Sequence, residues 1–236
     1  MPGKVVSQEQ WLTARKELLE KEKAATRAAA EFKSQLQKDF PMVKLSKEYT
    51  LEGPNSKATL SELFAGRKQL VVYHFMLAPD DESGCEGCSF LADNLPSSLE
   101  HLNSRDTTLV LVSRAPIAKI EKFKKRMGWN YPWYSSFGSD FNYDFHVTLD
   151  ESVAPVEYNY KKPSTPAKGE RPGMSVFFKE SNEVFHTYST YARGLDFLLP
   201  TYGLLDLTPL GRQETKMNFW KLHDQYTEED IKGSTK

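Results

Sequence analysis

Apolar residues recur every seven positions along the first part of the chain, and charged residues lie between them. These apolar positions are Trp11, Leu18, Ala25 and Phe32. The run Ser7-Gln8-Glu9-Gln10 has the pattern of a capping box, which starts a helix. The sequence therefore predicts a helix of roughly 30 residues, about 45 Å long at about 1.5 Å per residue, that continues to about Lys38.

Two interpretations of this helix fit the pattern. Its apolar seam could hold it as a strap across the surface of its own domain. A seam that repeats at seven, with charges on the other faces, is also typical of a dimer-forming arm. The alanine-rich stretch 24–30 would allow close approach in either case. We therefore expect either a surface strap or a homodimer formed through this helix.

From residue 42 onward, short strands alternate with helices. Gln69–Leu77 is nearly all apolar, as a strand buried on both faces should be, and Thr107–Ser113 is predicted as a second buried strand. Further elements are predicted as helices from about Cys85 to Leu102, from Pro116 to Gly128 and from Ala192 to Tyr202, and as a hairpin of 175–179 with 183–188. This order predicts an α/β fold with a mixed central sheet and helices on both faces.

The same pattern divides the chain into three parts. Residues 1–40 form the helical extension, and residues 41–215 form the α/β domain. A stretch rich in proline and glycine near 151–172 reads as an insertion in that domain. Residues 216–236 are a C-terminal segment that ends in a polar tail.

Composition and charge exclude several classes of partner. The 31 Lys and Arg nearly balance the 32 Asp and Glu, so no overall charge points to nucleic acid or to an anionic membrane. The longest apolar run, Leu70–Ala78, is too short to span a bilayer. The N-terminal residues have no apolar signal region, and one cysteine pair at redox-motif spacing suggests a reducing compartment. We therefore predict a cytoplasmic protein.

Cys85 and Cys88 are the only two cysteines, and they lie three positions apart at a predicted helix start. There the free N–H groups of the helix stabilise a thiolate on the first sulfur, so the spacing favours dithiol–disulfide exchange. Two buried, inert thiols are the alternative without a function. In the exchange reaction, Cys85 would be the attacking thiol because it lies closer to the helix end, and Cys88 would resolve.

A zinc site is the competing chemical interpretation. His101 follows the cysteines as in a finger with two Cys and two His ligands, but Arg105–Thr107 contains no second histidine. If Cys88 and His101 lie on one continuous helix, about 20 Å separates them, which is too far for a shared ion. Ser89 stands where a haem attachment motif would need histidine. We therefore predict no metal and no organic cofactor.

The segment around the cysteines is acidic. No Lys or Arg occurs from Gln69 to Ser104, whereas this segment contains Asp80, Asp81, Glu82, Glu86, Asp93 and Glu100. Nearby carboxylates offset the helix N-terminus and make a thiolate less stable. We therefore expect a reducing dithiol couple that disfavours anionic disulfides and prefers protein partners with basic edges. The alternative is a solvated acidic loop that has no effect on the sulfur.

The element order, with C-x-x-C between the first long strand and its helix, resembles the thioredoxin fold, and residues 49–68 resemble the opening of its peroxiredoxin-type branch. Longer motifs resemble a thioredoxin-like family of unknown function whose members are commonly labelled predicted dithiol–disulfide oxidoreductases. These motifs are YHFMLAPDDESGCEGCSFLADNL (73–95), WYSSFGSDFNYDFHVTLDE (133–151), MSVFFKESNEVFHTYSTYARGLDFLLPTYGLLDLTPLGR (174–212) and FWKLHDQY (219–226). The resemblance implies the same attacking and resolving roles for the two cysteines.

The resemblance also indicates further site residues. Thioredoxins carry a buried acid on the strand before the C-x-x-C, and alignment on the following aromatic residue places His74 there, where an imidazole could transfer the proton of the resolving thiol. The alternative is a hydrogen-bonded strand histidine with no role in the reaction. Gly173 and Met174 occupy the position of the thioredoxin cis-proline. Either Pro172 is the cis residue, with a shifted register, or glycine backbone forms the substrate ledge.

Aromatic residues are dense between residues 129 and 145. Trp133 and Tyr134, within this belt, are either core and lid packing or the wall of a substrate cleft beside the cysteines. We assign both to the cleft, together with Gly173 and Met174.

These observations predict a thiol–disulfide oxidoreductase that uses its dithiol to reduce or exchange disulfides. The substrate would be a disulfide-containing protein or a small thiol compound, and the electron donor cannot be named from the residues. One alternative is a non-catalytic thioredoxin-fold binding module with an aromatic-lined cleft. Another is a peroxiredoxin-like peroxide reductase, although Glu82 stands where the threonine of the peroxiredoxin nucleophile motif is expected.

Overall fold

The structure is a computed structural model, which describes residues 3–214 and 220–232. Helix α1 (Gln8–Lys38) has the predicted length and the predicted capping box. The Ser7 hydroxyl accepts a hydrogen bond from the Gln10 backbone N–H at 3.2 Å, and the Gln10 side chain accepts one from the Ser7 backbone N–H at 3.1 Å. The N-terminal helix is therefore confirmed.

Helix α1 does not lie as a strap against its own domain. None of its residues is buried, and Trp11, Leu18 and Phe32 are 51%, 51% and 53% exposed. A strap would bury this seam, so that interpretation is wrong. The homodimer through the helix stays a prediction.

The strands are β1 (Val43–Lys44), β2 (Thr50–Glu52), β3 (Lys57–Thr59), β4 (Gln69–His74), β5 (Thr107–Ser113), β6 (Trp133–Ser135), β7 (Thr148–Leu149), β8 (Gly169–Glu170), β9 (Gly173–Glu180) and β10 (Glu183–Tyr191). The helices after α1 are α2 (Glu86–Asn94), α3 (Glu100–Asn103), α4 (Ile117–Arg126), α5 (Phe141–Asp144), α6 (Pro200–Asp206) and α7 (Glu228–Ile231). Turns of 3-10 helix lie at Glu62–Phe64, Ala192–Leu198 and His223–Gln225.

Within the described residues, eight strands form the main sheet in the order β1-β10-β9-β4-β5-β6-β2-β3, and β7 pairs with β8 separately. Strands β4, β5 and β6 are parallel, whereas β9 is antiparallel to both β4 and β10. The central order β5-β4-β9-β10, in which β4 leads through a helix into its parallel neighbour and β9 continues as a hairpin, is that of the thioredoxin fold. The predicted α/β class and thioredoxin-like architecture are confirmed.

Each face of the sheet has its own apolar core. On the face that we call the thiol face, Tyr73 and Leu111 pack with Cys88 and with residues of α2, α4 and α6. On the opposite face, which we call the histidine face, Val72 and Phe177 pack with α5 and with the 3-10 turn at Glu62–Phe64. Because successive side chains of a strand point to opposite faces, neighbouring residues of β4 belong to different cores.

The helix predicted from Cys85 to Leu102 is two helices. Helix α2 ends at Asn94, and α3 begins only at Glu100. Pro96 lies between them and lacks the N–H that a continuing helix needs. The argument that Cys88 and His101 share one helix was therefore wrong. Across residues 3–214 and 220–232, no group of three or more His, Cys, Asp or Glu side chains could hold a metal ion.

Other differences concern short elements. Strand β6 lies inside the aromatic belt, and the predicted insertion ends in β8, which pairs with β7. The helix predicted for 192–202 is a 3-10 turn followed by α6, and α7 lies in the predicted polar tail. The domain boundary predicted at 215–216 and the last residues of the tail, 233–236, lie outside the described residues. Within the described residues, no helix is long and apolar enough to cross a bilayer.

Candidate active site

The chain leaves β4 and reaches the two cysteines through a loop that is fixed at its end. The Cys85 N–H donates to the Met76 carbonyl at 3.1 Å, and the Cys85 carbonyl accepts from Ser89 at 2.8 Å in the first turn of α2. A side chain at Gly84 would put its Cβ 2.5 Å from the Phe123 ring and 2.6 Å from the Phe75 ring. Only glycine therefore fits before Cys85.

The two cysteines differ in accessibility. Cys85 is the N-cap residue of α2 and is partly exposed, whereas Cys88 is 2% exposed in the thiol-face core. Both are free thiols. The Cys85 sulfur is therefore the one that an incoming molecule can reach.

Hydrogen bonds to sulfur lower the pKa of Cys85 to about 6, with the Cys88 thiol as the largest cause. Burial opposes this change, and the backbone N–H groups of Cys88 and Gly87 add to the lowering. These donors favour the charged form of the thiol. At neutral pH Cys85 is therefore mostly thiolate.

Cys88 changes in the other direction. Burial raises its pKa well above the ordinary value, and its hydrogen bond to Cys85 and the negative charge there raise it further. The Met76 backbone N–H donates to the Cys88 sulfur at 3.5 Å. The pair therefore holds one proton on Cys88 and one negative charge on Cys85.

The expectation that the acidic segment destabilises the thiolate is wrong. The Glu86 carboxylate raises the pKa of Cys85, but the hydrogen bonds to the sulfur outweigh it. Asp81 instead accepts a hydrogen bond from the Ala78 N–H at 2.6 Å, and Lys119 of α4 donates to the Asp81 carbonyl at 2.7 Å. The acidic loop is thus engaged in its own contacts.

Tyr73, not His74, faces the cysteines. Tyr73 is 1% exposed on the thiol face, and its hydroxyl interacts with the Cys88 thiol by a hydrogen bond that lowers the Cys88 pKa. Burial in turn raises the pKa of Tyr73 well above its ordinary value, so Tyr73 stays protonated and can donate. The prediction for His74 was off by one residue, because alignment on Phe75 does not account for the longer loop that follows.

His74 lies on the histidine face at one end of a row of hydrogen-bonded polar side chains. Its Nε2 is 2.8 Å from the Ser175 hydroxyl, which is 2.8 Å from the Ser189 hydroxyl, which in turn is 2.7 Å from His186 Nε2. Its Nδ1 is buried and has no hydrogen-bond partner among the described residues. Burial, with a smaller contribution from His186, lowers the pKa of His74 to about 3. His74 is therefore a neutral core residue.

A cavity of about 610 Å³ opens beside Cys85. Pro172 lines it and follows a trans peptide bond, so the cis-proline alternative is wrong. Neither Gly173 nor Met174 lines the cavity, so their assignment to the substrate cleft is wrong; both are buried at the start of β9. A side chain at Gly173 would put its Cβ 2.7 Å from the Tyr191 ring.

Trp133 and Tyr134 do not form the cavity wall, and their assignment to the cleft is corrected. Trp133 is 1% exposed in the thiol-face core, where its Nε1–H donates to Ser113 at 3.0 Å. Tyr134 packs against the histidine-face core. Both lie on β6, a strand hidden within the sheet, so the core interpretation of the aromatic belt holds for them.

The aromatic wall comes from residues that the sequence left without a role. Phe90, Tyr202 and Trp220 line the cavity. The Phe90 and Trp220 rings stack with centroids 3.9 Å apart, and the Trp220 Nε1–H donates to the Tyr202 hydroxyl at 3.1 Å. The only sequence signal for Trp220 was its place in the family-like motif at residues 219–226.

The strand order and the two cysteines at the start of α2 define a thioredoxin-like protein. The chain belongs to the family DUF899, described as a bacterial protein of unknown function, which it matches over residues 2–226. This confirms the resemblance stated from the sequence motifs. No curated protein matches the sequence.

Several solved structures are similar to the chain at low identity. Peroxidoxin BcpB from Mycobacterium tuberculosis is 15% identical with a TM-score of 0.46, over 69% of this chain and 94% of that chain. Peroxiredoxin Q from Xanthomonas campestris is 15% identical with a TM-score of 0.44, over 64% and 87%. A secreted Mycobacterium tuberculosis disulfide oxidoreductase homologous to E. coli DsbE is 14% identical with a TM-score of 0.36, over 66% and 95%. The fold assignment follows from the strand order given above.

Proposed function

We propose that the protein is a thiol–disulfide oxidoreductase in which Cys85 attacks and Cys88 resolves. One observation carries this proposal: a partly exposed thiol with a pKa lowered to about 6 lies beside a buried thiol with a raised pKa, at the edge of a cavity. The thiolate is the nucleophilic form of cysteine, and the buried partner keeps its proton until exchange begins.

The exchange has two steps. The Cys85 thiolate attacks one sulfur of a substrate disulfide, forms a mixed disulfide and releases the first substrate thiolate. Cys88 then gives its proton to the first substrate thiolate and attacks the Cys85 sulfur. This attack releases the second thiolate, which takes a proton from solvent, and closes the Cys85–Cys88 disulfide. The Tyr73 hydroxyl, which donates to the Cys88 sulfur, stabilises the thiolate that this second step needs. The substrate disulfide is reduced to two thiols, and a separate electron donor must reduce the protein again.

Titration of free thiols tests the proposal. Oxidised protein treated with a dithiol reductant should gain two titratable thiols, and Cys88→Ser protein should accumulate mixed disulfides with its substrates, whether these are proteins or small thiol compounds. The absence of an intramolecular disulfide in every redox buffer would contradict the proposal.

A peroxide reductase is a second candidate, because an accessible thiolate with a pKa of about 6 is also the form that peroxides oxidise. Stopped-flow oxidation of the reduced protein by hydrogen peroxide and by a disulfide separates the two activities. The faster oxidant at equal concentration identifies the class of substrate.

A binding module is the candidate from another class. The cavity volume and the aromatic wall of Phe90, Tyr202 and Trp220 support it, since small ligands occupy cavities of this size and composition. A Cys85→Ser variant that kept every measured activity would favour this alternative over exchange chemistry.

The cytoplasm is part of the proposal as the place where the protein acts. A chain whose cysteines are limited to one free pair suits a compartment that keeps thiols reduced. Fractionation of cells that express the full-length protein tests this, and recovery from an oxidising compartment would contradict it.

A further inference from the structure

We infer that the cavity beside Cys85 selects low-molecular-weight disulfides with amino-acid-like ends, whose carboxylate binds Arg171 and whose ammonium group lies near Glu86. The inference rests on the proposed function, since it names the substrate class of the same thiol pair.

The cavity has the size and lining of a small-molecule site. Its volume of about 610 Å³ lies within the range of roughly 300–1,000 Å³ that is common for such sites. Most of its wall is apolar and would contact the methylene and sulfur atoms of a disulfide. The apolar wall residues include Phe90, Leu195, Leu199, Tyr202 and Trp220.

Besides the Cys85 thiolate, five charged residues of the described part of the chain line the cavity, and three of them neutralise one another. Arg193 pairs with Asp196 at 2.9 Å and with Glu214 at 3.5 Å. Arg212, outside the cavity lining, pairs with Asp196 at 3.0 Å. A ligand would have to break these ion pairs to use any of the three charges, so the recognition must come from the other two.

Arg171 is the cavity cation without an acidic partner. Its Nη1 donates to the Glu170 carbonyl at 2.7 Å and to the Lys168 carbonyl at 3.4 Å, and no carboxylate of the described residues lies within ion-pair distance of it. The nearest carboxylate in the chain, that of Glu170, pairs with Arg114 at 2.7 Å instead. Backbone contacts thus hold the guanidinium while its charge stays available, and a guanidinium binds carboxylates through paired hydrogen bonds.

Glu86 is the matching anion. It is the first residue of α2, directly after the attacking Cys85, and it is exposed and makes no ion pair within the described part of the chain. One unpaired cation and one unpaired anion therefore line the same cavity as the nucleophile. A zwitterionic end group satisfies both charges, whereas a simple carboxylate or a simple amine satisfies one and meets repulsion from the other.

Four disulfides test this assignment on the reduced full-length protein. They are L-cystine, 3,3′-dithiodipropionate, cystamine and the neutral bis(2-hydroxyethyl) disulfide. Second-order oxidation rates are measured by stopped flow, and each is divided by the rate with the neutral disulfide. This ratio cancels any change in the reactivity of the thiol itself, and a retained neutral rate also shows that a variant is folded.

Arg171→Gln should lower the ratios for cystine and dithiodipropionate by about tenfold relative to the parent protein, the effect of one lost charge-assisted hydrogen bond. Glu86→Gln should lower the ratios for cystine and cystamine. The matched control is Lys168→Gln, which removes the same charge from a side chain that is 83% exposed and lies outside the cavity. It should leave all the ratios unchanged.

The outcomes separate this inference from the proposed function. If Arg171→Gln and Lys168→Gln behave alike, the inference is wrong and the exchange activity stands. If Arg193→Gln, rather than Arg171→Gln, lowers the cystine ratio, the assignment to Arg171 is overturned. If none of the four disulfides oxidises the parent protein, the inference is wrong. The proposed function then still stands if an intramolecular disulfide forms in a redox buffer, and it fails only if none forms.

Discussion

Tyr73 and His74 are consecutive residues of β4 with the same exposure of 1%, yet they serve different regions. Tyr73 lines the cavity on the thiol face and contacts Cys88. His74 lies on the histidine face against the Phe141 and Phe145 rings, and its hydrogen bond goes to Ser175. The pleat of the strand separates the two environments.

Burial acts on the two side chains in the same way, because it favours the neutral form of each. It raises the pKa of Tyr73 and lowers the pKa of His74 to about 3. Tyr73 is left with a proton to donate toward sulfur, whereas His74 is left inside a chain of hydroxyl groups. Burial alone therefore does not determine the role of a polar residue, because the role depends on the groups that the side chain contacts.

The largest expected effect is a loss of stability from a change on the histidine face that leaves the thiol face unchanged. Phe177→Ala removes a ring that is 0% exposed on the histidine face and lies 5.2 Å from Phe145. Chemical denaturation should show a loss of about 3–5 kcal/mol in the free energy of unfolding. The thiolate pKa of Cys85 should be unchanged, since the sheet lies between them. A shift in that pKa would show that the two faces are coupled.

The next prediction concerns the thiol face. Alkylation of Cys85 by iodoacetamide should follow a pH profile with a midpoint near pH 6, the pKa that its hydrogen bonds produce. Cys88→Ala should move the midpoint to higher pH, because it removes the largest stabilising hydrogen bond. A parent midpoint at the ordinary value for a free cysteine would refute the predicted electrostatics.

The histidine face should make stability depend on pH. The folded pKa of His74 is about 3, below its ordinary 6.5, so between these values the unfolded chain binds the extra proton. Stability is therefore full above about pH 6.5 and falls as the pH decreases, by at most about 1.4 kcal/mol per pH unit. His186, whose pKa burial also lowers, adds in the same direction. Urea titrations at several pH values from 6.5 to 5 give the free energy of unfolding at each pH. This free energy should fall less steeply with decreasing pH in His74→Gln than in the parent protein.

A smaller effect is expected on the rate of disulfide closure, and two variants at adjacent positions test it. Tyr73→Phe removes the hydroxyl beside Cys88, and closure of the disulfide from a mixed disulfide should slow by roughly 2- to 10-fold, the effect of one hydrogen bond. His74→Gln should leave that rate unchanged. Equal slowing in both variants would show that a disturbance of β4, and not the loss of the Tyr73 hydroxyl, slows the closure.

Helix α1 belongs to neither face, and its removal should have the smallest effect on stability. Deletion of residues 1–38 should change the free energy of unfolding by less than about 0.5 kcal/mol, because none of the α1 residues is buried. Light scattering on the same protein tests the predicted homodimer. A mass that falls to less than half, because the dimer separates and each chain is shorter, supports it. A mass that falls only by the deleted residues rules it out.

Local pattern was enough for some elements. Helix α1 follows from its capping box and its apolar spacing, and β5 has the predicted bounds because Thr107–Ser113 is an apolar run between polar turns. Strand β6 was missed because three residues within an aromatic belt carry no readable period. Pro96 was the available signal for the break between α2 and α3.

The candidate site was less predictable, because it is assembled from distant segments. Cys85 and Cys88 could be identified from their spacing alone. Arg171 and Trp220 lie far along the chain and meet the cysteines only through the fold. The face of β4 that turns toward Cys88 depends on the register between the strand and a loop of unusual length, which is why the sequence pointed to His74 instead of Tyr73.

The two glycines near the cysteines set opposite limits on variation among related bacterial proteins. Gly84 touches two core rings, whereas a side chain at Gly87 would meet only the Cys85 sulfur, at an ordinary 3.9 Å. Position 84 should thus be invariant, while position 87 is free to vary. Substitutions at position 87 can therefore change the environment of the Cys85 sulfur without disturbing the packing of the core around Gly84.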